Sequence, residues 1–185
     1  MLFNGTKVAH VGGTGTPSYG ETIDVYDFAT GVETLNVATM NFNRKLHSCA
    51  LIPNGIDGHE TVAIIGDNSS PFPFVMELWD TVTNTITEVD HPPGFENSRF
   101  FKPVVTTYND TSILFSGGEW FRGTGPSLEM DFTETMFLYN YEHQSWTNLG
   151  ITPTPFPKLE QFGIYFPLNN PDFDAFVSLN RCAYE

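Results

Sequence analysis

Val8–Gly13 reads VAHVGG, a short strand-like run stopped by a pair of glycines, and the chain repeats it. VAIIGD at Val62–Asp67 and ILFSGG at Ile113–Gly118 have the same form, and Gly12, Gly66 and Gly117 stand 54 and 51 residues apart. Downstream of each comes an aromatic followed by Asp or Asn: Tyr26-Asp27, Trp79-Asp80 and Tyr139-Asn140. Turn-forming residues follow (FATG, TVTN, YEHQ), then another short run (VETL, TITEV, SWTNL). A basic residue closes each unit: Arg44, Arg99 or Lys158, lying 18, 20 and 19 positions after the aromatic. Beyond it a further run begins: LHSCALI, PVVTTY, FGIYF.

The glycines invite a different reading first. From Gly15 the chain is G-x-x-x-x-G-E-T, one residue from the phosphate-cradling G-x-x-x-x-G-K-[ST]. Glu21 would set a negative charge against the phosphates where the motif needs lysine, and no helical pattern follows Thr22 to supply a helix N-terminus. Glycines recur at 117 and 118 without any such motif, so the repeat is their cause.

Four short β-rich runs per unit, with turns between them and no sustained helical spacing, predict four-stranded antiparallel sheets. Sheets repeating at about 50 residues bury their faces against one another and pack radially, as a β-propeller. The glycine-ended strand (Gly12, Gly13, Gly66, Gly117, Gly118), the aromatic-Asp pair with its turn, and the basic residue before the next strand together resemble the kelch repeat, over essentially the whole chain. The resemblance implies that the glycines let a strand end pass closely against neighbouring sheet and aromatic side chains. Unit two departs from the pattern with Gly66-Asp67, and only unit three has the family's tryptophan, Trp146, where the others have Glu33 and Ile86. A WD40 propeller fits less well: Gly58-His59 precedes Trp79-Asp80 in one unit alone, and WD40 units run about 40–45 residues.

With strands named a to d from the inside outward, residues 1–45 are a partial blade b-c-d. Residues 46–99 and 100–158 are whole blades, and 159–185 a partial blade a-b. The expected fold is therefore all-β: a single kelch-like segment forming an incomplete circle. The family's six or seven blades exceed this, and an open arc would expose apolar blade faces. Three explanations stand: a piece of a longer protein, a half-propeller that self-associates to close, or a small open arc.

Eight basic against 22 acidic residues, a formal charge of −14, excludes nucleic acid and anionic membrane as expected partners. No apolar run approaches the roughly 18 residues of a membrane span. Two distant cysteines, Cys49 and Cys182, exclude a disulfide scaffold but fix no compartment, and the sequons at Asn4, Asn68 and Asn109 are as many as chance supplies.

Successive turns of an antiparallel blade alternate ends. The b-c connections (Thr14–Glu21, Asn68–Phe74, and the long Glu119–Glu134) share one face with the d-a turns that carry Arg44, Arg99 and Lys158. Long loops on a rigid scaffold are where binding resides. Tyr19, Phe72, Phe74, Trp120, Phe121 and Arg122 are the candidate partner-binding residues, with folding back over the sheet ends as their structural alternative. Arg44, Arg99 and Lys158 recur as repeat elements, which suggests a salt bridge or carbonyl contact in each blade.

Five histidines at 10, 47, 59, 91 and 143 show neither H-x-H nor H-x-x-x-H spacing. The carboxylates at 129, 131, 134, 172 and 174 lack the calcium-loop pattern. The reading is a protein-interaction module with no catalytic residue, metal or cofactor. An extracellular enzyme resembling copper radical oxidases is the alternative, and a structural secreted protein the third reading.

Overall fold

A computed structural model describes residues 2–13, 20–68, 76–95, 98–116, 118–122, 129–132, 135–151, 161–166 and 175–180. These residues form an all-β structure of antiparallel sheets that do not close into a ring. The first sheet is β1 (Leu2–Phe3), β2 (Lys7–Val11), β3 (Thr22–Asp27) and β4 (Val32–Thr39), paired in chain order. The second is β5 (Arg44–Ile52), β6 (Thr61–Asn68), β7 (Met76–Asp80) and β8 (Ile86–Val89), also in chain order. The strands β9 (Ser98–Phe101), β10 (Val104–Asn109), β11 (Ser112–Ser116), β12 (Glu119–Arg122), β13 (Glu129–Phe132), β14 (Thr135–Asn140) and β15 (Ser145–Ile151) then make two sheets. One is β10-β11-β14-β15, and the other is β13-β12-β9. A last pair joins β16 (Gln161–Phe166) and β17 (Ala175–Asn180).

Two features depart from the sequence reading. The first sheet is not limited to strands b, c and d, because Leu2 and Phe3 pair with Val8 and Lys7 as a two-residue inner strand. Glu119–Glu134 is not a plain loop: β12 and β13 form a hairpin whose first strand also pairs with β9, Trp120 opposite Phe100 and Phe121 opposite Arg99. The segment expected to be only a turn therefore carries a strand, SRFF. Its two aromatics favour extended backbone, and the hairpin satisfies its backbone groups.

The aromatic-Asp/Asn pair repeats because it builds a hairpin turn. The side-chain oxygen of Asp27 accepts from Ala29 N–H at 2.8 Å, that of Asp80 from Val82 N–H at 2.8 Å, and that of Asn140 from His143 N–H at 2.9 Å. Four residues after each acceptor the chain turns left-handed, at Gly31, Asn84 and Gln144. A short side-chain acceptor at the first position and a left-handed closing residue are what such a loop requires.

Packing follows from the two-residue period of the strands. Val62 and Ile64 of β6, with Trp79 of β7, join Ala9, Ile23, Val25 and Phe3 of the first sheet in one core cluster. The alternate residues Ala63, Ile65, Met76 and Leu78 join Ile113, Phe115, Phe137 and Tyr139 in the other. The second sheet is thus covered on both faces, and Met76–Asp80 are buried at every position. Between sheets, β5 lies beside β10 and β10 beside β16, so the inner strands are neighbours, as a radial arrangement requires.

On its outer face the first sheet differs. Counting from the strand-ending glycines, His10 stands where β6 has Ile64; by the turns, Tyr26 stands where β7 has Trp79. Tyr26 is 39% exposed and the His10 side chain is 75% exposed. Polar and amphipathic residues thus occupy positions that are core in the second sheet.

Of the repeat glycines, Gly12, Gly66 and Gly118 lie against backbone at the start of an inner strand, and Gly13 faces the His10 imidazole. A Cβ on Gly66 would lie 2.9 Å from His47 Cα, and one on Gly118 2.6 Å from the Phe101 carbonyl oxygen, both at positive φ (+117° and +91°). We expect Gly118→Ala to cost about 2 kcal/mol from backbone strain plus that clash, read as a lower urea midpoint at unchanged m-value.

Candidate functional site

The b-c and d-a connections share one end of the sheets, and its described part is built around Arg44, the first residue of β5. The Arg44 side chain is fully buried. Its Nε donates to Glu77 Oε2 at 2.6 Å and its Nη1 to the Gly66 carbonyl at 2.6 Å, while Asn41 N–H donates to Glu77 Oε1 at 2.6 Å. The backbone of Arg44 is used as well: Gly13 N–H donates to its carbonyl at 3.0 Å, and its own N–H donates to Gly20 O at 2.8 Å. One residue thus ties the end of strand b in one sheet to strands a, b and c of the next. With both side chains 0% exposed, this arginine serves the frame and does not face a partner.

Beside it sits His47. Burial first, then the Arg44 charge, push its imidazole down to about 4, so it is neutral at neutral pH; a hydrogen bond to the Val11 backbone opposes the shift only in part. Two left-handed residues, Leu46 and Lys102, meet where Lys102 N–H donates to Leu46 O at 2.7 Å, and Ser48 Oγ donates to the Pro103 carbonyl. Leu46 is 48% exposed on this end.

Of the candidate binding residues, Trp120, Phe121 and Arg122 lie on β12, with Arg122 opposite Ser98 on one side and Glu129 on the other. Tyr19, Phe72 and Phe74 fall outside the described residues, as do Gly117 and Lys158. Arg99 is on β9, within the strand that holds the hairpin. Sequence reasoning missed Glu77 and His47. Glu77 carried a signal: it is the one charged residue inside an otherwise apolar stretch, VMELW, one position away from the facing set.

Other reactive groups are held in quiet states. Burial pushes the Cys49 thiol up to about 12, far from a nucleophile's range. His59 Nδ1 lies 3.2 Å from Asp80 Oδ2. Burial alone would raise the Asp80 carboxyl, but hydrogen bonds from Val82, His59 and Thr83 hold it below its ordinary value. Among the described residues no three His, Cys, Asp or Glu side chains come together as metal ligands. No protein-family model matches the chain, and no curated protein matches it.

Proposed function

We propose that the chain is a kelch-like propeller segment whose b-c and d-a end binds another protein, with the β12–β13 hairpin as its principal contact. The observation that carries this is the hairpin itself. It interrupts the third four-stranded sheet between β11 and β14, adding a second sheet there, although β11 and β14 pair with each other directly. An insertion into a single repeat that the repeat's own pairing does not need supports this reading, because insertions in repeat proteins often line a binding face. The Arg44 network ties the first and second sheets together at the same end, and a frame already fixed lowers the ordering cost of association. Trp and Arg within the hairpin sequence are the residue types that concentrate binding energy.

The test replaces Trp120–Asp131 by a short Gly-Ser link and places a photo-crosslinking amino acid at Phe121 or, as a control, at exposed Val82. A partner crosslinked from position 121 and not from 82, then purified, should bind the parent chain and lose at least about tenfold in affinity with the hairpin-replaced chain. Equal affinity for both chains, with the replaced chain still cooperatively folded, would remove the hairpin from the proposal.

A further inference from the structure

A cleft of about 330 Å³ lies between the outer strands of the second and third sheets. Its walls include Tyr139, Tyr141, Gln144 and Trp146 from the third sheet and Glu88 and Asp90 from the second. The aromatic side is preset. The Tyr139 and Trp146 ring centroids are 5.0 Å apart, and Trp146 Nε1–H donates to the Asp90 carbonyl at 2.8 Å, which holds the indole across the gap between sheets. Glu88 Oε1 accepts from Asn41 Nδ2 at 2.9 Å, which orients that carboxylate from behind.

The charge here has one sign. Two acidic residues, Glu88 and Asp90, line the cleft, and among its described lining residues there is no Lys, Arg or His. Burial, then the Asp57 and Asp80 carboxylates, raise the Tyr141 hydroxyl above its ordinary value, so the field of the second sheet reaches across to the third. An anion is repelled from such a place. A purely apolar group would make no use of the acidic side of the cleft.

We propose that this cleft takes an arginine side chain of a partner polypeptide, its guanidinium against the Trp146 and Tyr141 rings and its N–H groups toward Glu88 and Asp90. Arginine suits the site better than lysine, because a planar, weakly hydrated cation can stack on a ring while donating along its edges to carboxylates. The chain carries a formal charge of −14, which favours approach of a basic segment at long range. The proposal uses none of the hairpin residues, so hairpin replacement leaves it untouched.

The probe is the peptide acetyl-Gly-Gly-Arg-Gly-Gly-amide, compared with the same peptide carrying citrulline, which keeps the shape and loses the charge. Binding is followed by the NMR signal of the Trp146 indole N–H, assigned by its absence from Trp146→Phe. We expect saturable binding with a Kd of about 1 mM or tighter. The citrulline peptide and the doubly substituted Glu88→Gln/Asp90→Asn chain should each bind roughly tenfold more weakly, and salt should weaken the arginine peptide. Both substituted residues are exposed and isosteric, so the fold is retained. Equal binding of the citrulline peptide, no movement of the Trp146 signal, or undiminished arginine binding to the doubly substituted chain would each overturn the assignment.

Discussion

Replacing Glu77 by alanine is expected to cost about 3–5 kcal/mol of folding stability, the largest effect of any single polar substitution among the described residues. The cost does not measure the strength of the Arg44–Glu77 attraction. It measures what remains after Glu77 is gone: a guanidinium with no accessible surface that has lost the Glu77 carboxylate, and an Asn41 N–H that has lost its acceptor. The hydrogen bond to the neutral Gly66 carbonyl does not replace a carboxylate. At an m-value of about 2 kcal/mol/M, the urea midpoint should fall by roughly 2 M. The paired replacement Arg44→Met with Glu77→Leu separates the two meanings of the bridge, because it removes the charges together. It should recover most of the loss, ending within about 1–2 kcal/mol of the parent. A Glu77→Ala loss below about 1 kcal/mol would mean that Arg44 finds water or another acceptor, and that the network does not pin the loop end as described.

That network also marks where the sequence could be read and where it could not. The repeat was legible because its parts act locally. Asp27, Asp80 and Asn140 each shape a turn within four residues of themselves, and a local requirement leaves a fixed spacing in the sequence. The continuous apolar run VAIIG likewise announces a strand with both faces covered. The Arg44–Glu77 pair spans 33 residues and two elements, so no spacing rule connects them. Exposure was the harder quantity. Tyr26 and Trp79 occupy the same place in their units, yet one is 39% exposed and the other is buried, because only Trp79 has a sheet in front of it. The β9–β12–β13 sheet escaped notice for a related reason: EWFR and EMDF are strands only in the company of SRFF, and a long segment rich in Gly and Pro reads as loop when its partner is not yet placed. The cleft at Trp146 was invisible too, since it belongs to neither sheet alone.

Acidification should weaken the parent chain between about pH 6.5 and pH 4 through His47, and His47→Gln should lose most of that sensitivity. The sign follows from which state takes the proton. In the unfolded chain His47 titrates near its ordinary value of 6.5, while in the folded chain burial and the neighbouring Arg44 charge hold it down to about 4. Above 6.5 both states carry neutral imidazole, and the full stability is present. As pH falls through this interval the unfolded state binds a proton that the folded state refuses, so folding becomes progressively less favourable and the loss is complete below about 4. At 1.36 kcal/mol per unit the interval is worth on the order of 3 kcal/mol. The geometry agrees: His47 Nδ1 is buried with no hydrogen-bond partner, and Gly66 lies against the His47 backbone, which leaves little room for a solvated imidazolium. The chain's 22 acidic groups are common to both proteins, so their contribution cancels in the comparison. The informative quantity is therefore the difference in urea midpoint between parent and His47→Gln at pH 7 and again at pH 4.5. A parent that loses no more stability than the variant over that step would show that the imidazole accepts its proton in the folded state, and that the Arg44 corner admits water.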